Sequence, residues 1–274
     1  MIPETASGPA TSRNGPPGLG VMMYTVLEQA RGDLEGTLAR LAEIGYQGIE
    51  TYGLVEEFGP GRVRAAIGAA GLTLTSAHTP FPAGPQADRI LDQNAELGAR
   101  TLVWSMEREE FASPDAISRG ADRINEAAGR AAARGMTIAY HNHFAEFAQV
   151  FGGRQAYDLL LERLDDQVVV ELDAYWAQLG GTDPADVLAR LGERARIVHV
   201  KDGPARSYDD DVMVPIGEGQ IDWTRVLTTP SGLCWHVVEL ERLHVDTFEA
   251  LRRSYAYLAG HGLSAGADAQ DGLR

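Results

Sequence analysis

Apolar residues along this chain fall into two alternating rhythms. Short, nearly continuous apolar runs (GVMMYTV at 20–26, QGIETY at 47–52, LTLTSAH at 72–78, RTLVWSM at 100–106) alternate with stretches at helical spacing. MTIAYHN (136–142), VVVELD (168–173), RIVHVK (196–201) and CWHVVEL (234–240) continue the series, giving eight predicted strands. Between them Leu34, Leu38, Leu41 and Ile44 share one helical face, as do Phe248, Leu251, Tyr255 and Leu258. Gly45, Gly71, Gly98 and Gly135 each close a helical stretch a few residues before a strand. Strand and helix repeating in this order predict a parallel sheet with right-handed crossovers.

Eight such units form either a closed barrel or an open doubly wound sheet. The open sheet usually carries a glycine-rich phosphate turn after its first strand. Tyr24-Thr25-Val26-Leu27 stands there instead. The expectation is therefore an α/β protein with a single (β/α)8 TIM barrel over 18–262. A disordered leader (1–17) and a flexible tail (263–274) are expected to flank it. The length of 274 residues and 44% apolar content suit one barrel with a large core.

Charge narrows the partners. A net charge of −15 and no basic stripe argue against a nucleic-acid partner. No run approaches the length of a membrane span. Cys234 is the only cysteine, which rules out an intrachain disulfide, suits a reducing cytoplasm and predicts a small buried apolar residue.

In a barrel the functional site lies at the C-terminal ends of the strands. Positions two apart on a strand share a face. Four late strands end in polar pairs at that spacing: His141/His143, Glu171/Asp173, His199/Lys201 and Glu239/Glu241. Burying so many ionisable groups costs several kcal/mol each unless they are paired or bind metal. Carboxylates with one or two imidazoles suit one divalent ion, Mn²⁺ first, with Mg²⁺ or Co²⁺ as alternatives. Such an ion would hold adjacent oxygens of a polyol and acidify the C–H beside a carbonyl, for a carboxylate, His or Lys to move the proton. Lys201 would either stabilise a developing enolate or pair with a carboxylate such as Asp202. Glu171 is expected to support the ligands, and Glu50 to be structural. His78 would bond a hydroxyl of such a polyol, and Tyr24, Trp104 and Trp176 would stack on its ring. The Asp209-Asp210-Asp211 run is expected to be a solvated loop that, with only Arg206 beside it, disfavours a phosphorylated substrate.

YHNHFAEF (140–147), ELDAYW (171–176), HVKDG (199–203) and VVELE (237–241) resemble the sugar phosphate isomerase/epimerase family of the xylose isomerase-like barrel superfamily. The resemblance spans roughly 19–262. It implies one divalent metal held by Asp173, His199 and Glu239. Where epimerases of that family place a ligand glutamate, this chain has His141. The HNHxxEF form is similar to a subgroup near 3-keto-sugar enzymes. In that form the fourth ligand would be Glu146, His141 would act as base, and His143 would bind substrate. The implied function is a metal-dependent isomerase or epimerase that abstracts a proton next to a carbonyl, with His141, Glu146, Glu239 and Lys201 catalytic. The alternative is a lyase on a 3-keto-sugar, similar to inosose dehydratases or C-glycoside deglycosidases. An abasic-site endonuclease and a sugar-binding barrel without chemistry are the rivals from other classes. A homo-oligomer or a partner subunit is compatible with either enzymatic reading.

Overall fold

Each of the eight apolar runs becomes a strand of one closed parallel sheet in the computed structural model, which describes residues 15–266. The strands are β1 (Gly18–Met22), β2 (Gly48–Tyr52), β3 (Thr73–His78) and β4 (Thr101–Trp104), then β5 (Thr137–His141), β6 (Val169–Asp173), β7 (Ala195–Val200) and β8 (Trp235–Val238). They pair in chain order, and β8 closes on β1 in the register Gly18 to Trp235 through Val21 to Val238. The protein is thus a single TIM barrel.

The helices form where the apolar spacing predicts. In Leu34–Ile44, Leu34, Leu38 and Leu41 are buried and Ile44 is half-buried against the same core. The Asp33 side chain accepts the Gly36 N–H at its start, and Gly45 ends it at φ 113°. A Cβ on Gly45 would also lie 2.4 Å from the Tyr255 ring, so glycine is needed twice over. Thr247–Gly260 buries Phe248, Leu251 and Leu258.

Inside the barrel a small apolar plug of Met22, Ile197 and Val237, with Trp235 packed against it, is separate from the large core between sheet and helices. The Trp235 ring lies across Gly18 and Gly48, where added Cβ atoms would sit 2.5 and 3.1 Å from it. Toward the C-terminal ends of the strands the interior turns polar: Glu50, Ser76, His141, Glu171 and His199 are all buried. The apolar plug closes one end, so the polar groups face the other.

Several features depart from expectation. β1 is shorter than its apolar run, because Met23–Val26 tightens into a 3₁₀ turn. A two-stranded antiparallel ribbon, Val150–Phe151 with Arg154–Gln155, follows β5. Residues 263–266, expected to be flexible, are bonded under the barrel. Ala265 accepts the Leu19 N–H and donates to Pro17, and Ser264 Oγ lies 2.8 Å from His236 Nδ1. Residues 1–14 and 267–274 of the expected leader and tail lie outside the described residues. Cys234 is half-exposed rather than buried, because it precedes β8 at the rim, with Arg196 Nη2 3.0 Å from its sulfur. Among the described residues no helix is long and apolar enough to cross a membrane.

Candidate functional site

The polar interior is built in two layers. In the lower layer, Glu171 Oε1 lies 2.9 Å from His141 Nδ1, 3.2 Å from His78 Nε2 and 3.0 Å from His199 Nε2. Glu50 Oε1 lies 3.0 Å from His199 Nε2 and 3.1 Å from His78 Nε2, and its second oxygen accepts the Ser76 hydroxyl. In the upper layer, His199 Nδ1 lies 2.7 Å from Glu239 Oε2. Lys201 Nζ is 3.1 Å from Asp173 Oδ2, 3.0 Å from Glu239 Oε2 and 2.9 Å from Glu241 Oε1, and it sits 4.9 Å above the Trp176 ring.

The backbone around Asp173 fixes its carboxylate. Asn142, directly after β5, donates to the Asp173 carbonyl and accepts the Asp173 N–H, tying β5 to β6. Asp173 Oδ1 then accepts the Trp176 N–H at the start of helix Ala174–Leu179. That leaves Oδ2 buried, without a hydrogen-bond partner and facing the Lys201 ammonium.

Burial and neighbouring charge act against each other throughout. Burial raises the Asp173 carboxyl to about 6 despite the nearby Lys201 and His199 charges. Burial also works to raise Glu239, but Lys201 and His199 outweigh it and hold that carboxyl well below the usual range. For Glu50, likewise, His199 and His78 overcome the burial cost and keep it ionised. Burial works to lower His78, yet Glu50 and Glu171 raise it to about 9. His141 goes the other way: burial and the adjacent His199 and His78 charges hold it neutral. His143 is pushed down to about 4, by burial first and Lys201 next.

Asp173, His199 and Glu239 offer ligand atoms that all lie within 4.8 Å of one another. Two carboxylates and an imidazole are the donor set of a hard or borderline divalent ion. His199 Nε2 faces Glu50 and Glu171, so with its proton held there Nδ1 is the nitrogen left for an ion, an arrangement common around metal-bound histidines. Asp173 Oδ2, ion-paired with Lys201 but without a hydrogen bond, is the oxygen of that carboxylate not tied to backbone. These residues therefore fit the expected ion. A second group, His78, His141, Glu171 and His199, meets the same distance criterion one layer down. It is already knitted together through hydrogen bonds to Glu171 and Glu50.

The layers open into a cavity of about 420 Å³. Its lining includes the expected Tyr24, His78, His141, His143, Glu146, Trp176, Lys201 and Glu239, and it adds Tyr52, Arg108, Phe144, Tyr208 and Glu241. Not every expected residue is brought to the ligand group or the cavity lining. Glu146 is buried beside the cavity but outside the ligand group. Its Oε1 accepts the Tyr140 hydroxyl and the His143 N–H, its Oε2 has no partner, and burial raises it to about 7. Trp104 does not line the cavity, because it packs on Phe81 with ring centroids 4.0 Å apart. Asp202 does not pair with Lys201: its carboxylate accepts the Gly203, Gly217 and Ile221 N–H groups and the Trp223 indole N–H. Asp211 is buried rather than solvated and ties its loop through Tyr175, Arg206 and Ser207. Glu50, expected to be structural, pairs with His78 and His199 at the base of the site.

A family model described as xylose isomerase-like TIM barrel matches residues 38–229. A sugar phosphate isomerase/epimerase from Parabacteroides distasonis ATCC 8503 superposes with a TM-score of 0.77 at 24% identity, over 96% of this chain and 100% of that one. An L-ribulose 3-epimerase gives 0.65 at 17% identity, over 93% and 96% of the two chains. A probable 3-DHS dehydratase from Bacillus anthracis gives 0.66 at 15% identity, over 88% and 98%. These likenesses establish the fold. Comparison with curated proteins yields no match.

Proposed function

Since the chain belongs to the xylose isomerase-like TIM barrel family, we propose that it is a divalent-metal-dependent isomerase or epimerase acting on a sugar or keto-sugar. The observation that carries this reading is the buried convergence of Asp173, His199 and Glu239 beside a cavity lined by titratable groups. Asp173, His199 and Glu239 would hold the ion, Mn²⁺ in the first instance. Bound there, it supplies a Lewis acid that polarises a carbonyl and acidifies the neighbouring C–H. His141 is neutral, borders the cavity and is oriented through Nδ1 by Glu171, so it is placed to take that proton. Glu146, poised near neutrality, can return a proton to the same carbon or its neighbour. The Lys201 ammonium offers positive charge to the oxygen that becomes negative.

One observation favours a second outcome on the same site. A carboxyl that keeps its proton up to about pH 7 can also protonate a departing group, which turns proton abstraction into elimination. A lyase acting on a 3-keto-sugar is therefore the alternative product of the same first step. Incubation with Mn²⁺ and a panel of keto-sugars in D₂O, followed by NMR, tests both. Deuterium is expected at the carbon beside the carbonyl, and both exchange and Mn²⁺ binding should vanish in Asp173→Ala and His199→Ala. Exchange that persists after thorough chelation would rule out the metal-dependent reading.

A further inference from the structure

A second cavity of about 470 Å³ adjoins the reaction cavity and shares Tyr24, Tyr208 and Glu241 with it. Its apolar lining comes from Leu27, Leu240, Leu243 and Val245. Among the described residues five large hydrophobic side chains are exposed, and four of them border these two cavities: Tyr24 (43%), Tyr52 (39%), Tyr208 (44%) and Val245 (42%). Chance scatter of exposed hydrophobics would not gather them at one mouth, and such a concentration marks a binding surface.

The rings are also held in place. Tyr24 meets Tyr52 edge-on at 5.1 Å. Tyr208 packs against Phe144 at 4.9 Å and Trp176 at 5.4 Å. Arg242 donates to the Tyr208 and Asp209 carbonyls, and Asp211 ties the same loop to Tyr175. The guanidinium in the outer cavity is thus spent on the loop, and the two acidic neighbours there, Glu28 and Glu241, are paired with Arg31 and Lys201. With its charged groups already partnered and its lining apolar and aromatic, the outer cavity suits a neutral ring better than an ion.

We propose that the outer cavity is a subsite for a neutral, ring-bearing substituent of the substrate, so that the enzyme takes a keto-sugar linked to an aryl or second glycosyl ring, with its ketone left free at the inner site, rather than a bare monosaccharide. This rests on the sugar reading of the inner site, but its test does not require turnover. The full-length chain is titrated calorimetrically with sets of methyl, phenyl and glucosyl glycosides of the same keto-sugars, in which the ring ketone stays free. The ring-bearing members are expected to bind roughly tenfold more tightly than the methyl members. A preference confined to phenyl assigns an aryl ring, and one confined to glucosyl assigns a second sugar. Val245→Glu alters the outer cavity alone, so it should erase the preference while leaving the methyl glycoside's affinity unchanged, and Tyr208→Ala should weaken the preference as well. Equal affinities, no binding of any member, or a preference that survives both variants overturns the proposal. So does sedimentation that shows self-association abolished by Val245→Glu, because a second copy would then cover this face. A ring preference without any turnover would keep the subsite and sink the isomerase reading, whereas turnover of free sugars without the preference would do the reverse.

Discussion

Lys201 and Glu146 illustrate how single side chains set the character of the site. The Lys201 ammonium lies within 3.1 Å of three carboxylates, Asp173, Glu239 and Glu241. Lys201→Ala leaves buried negative charge without its cation, which should cost roughly 3–5 kcal/mol. Added Mn²⁺ should restore much of that loss, because a divalent ion answers the same carboxylates, and thermal melts with and without Mn²⁺ measure it. A variant whose melting is unaffected by Mn²⁺ would show that the carboxylates do not hold the ion. Glu146 makes a prediction in pH. Its folded value is about 7 against 4.5 unperturbed, so between these limits the native state holds a proton that the unfolded chain has released. Its contribution to stability is therefore best below pH 4.5 and declines as pH rises to 7, by an amount on the order of 3 kcal/mol. Glu146→Gln should remove that slope, and denaturant melts of both proteins across this window read the difference. Parallel curves would place the carboxyl at its ordinary value.

The loops after the strands do as much to shape the site as the strands themselves. Asp202 caps four donors across the segment after β7, with distances from 2.9 to 3.4 Å. Asp202→Ala strands those N–H groups in a largely buried place and should lower stability by about 3 kcal/mol, or roughly 6–12 °C in Tm. A smaller shift would mean that water replaces the carboxylate. At this scale the sequence was readable where chemistry is local. The polar pairs at or just past the ends of β5 to β8 stand two residues apart, so the alternation of a strand exposes them directly. Glu50 was hidden for the opposite reason. It sits in the unremarkable run GIETY, and its contact with His199 spans 149 residues and exists only because the sheet closes. Trp104 misled because alternation locates a face but not the rotamer, and Phe81 captures its ring. Asp211 misled because a run of aspartates looks solvated until a tyrosine hydroxyl and two backbone N–H groups converge on one of them.

For the molecule as a whole, the decisive fact is that a chain with a net charge of −15 folds with Glu50, Glu171, Asp173 and Glu239 gathered inside its barrel. Histidines and Lys201 compensate these charges, but Asp173 Oδ2 stays without a hydrogen bond. A ligand that binds only the native state stabilises it by mass action, about 2.7 kcal/mol when its concentration is a hundred times its dissociation constant. For a barrel of this size that corresponds to a rise of roughly 5–10 °C in Tm. Divalent ions also screen an acidic surface in any protein of this charge, so a rise alone proves little. The specific part must saturate with Mn²⁺ concentration, disappear in His199→Ala and Asp173→Asn, and reverse on chelation. Surface screening would also reverse on chelation, but it would survive both substitutions, since neither changes the exposed charge. If both variants gain as much as the parent chain, the stabilisation belongs to the surface, and the ion has no place at the head of the barrel.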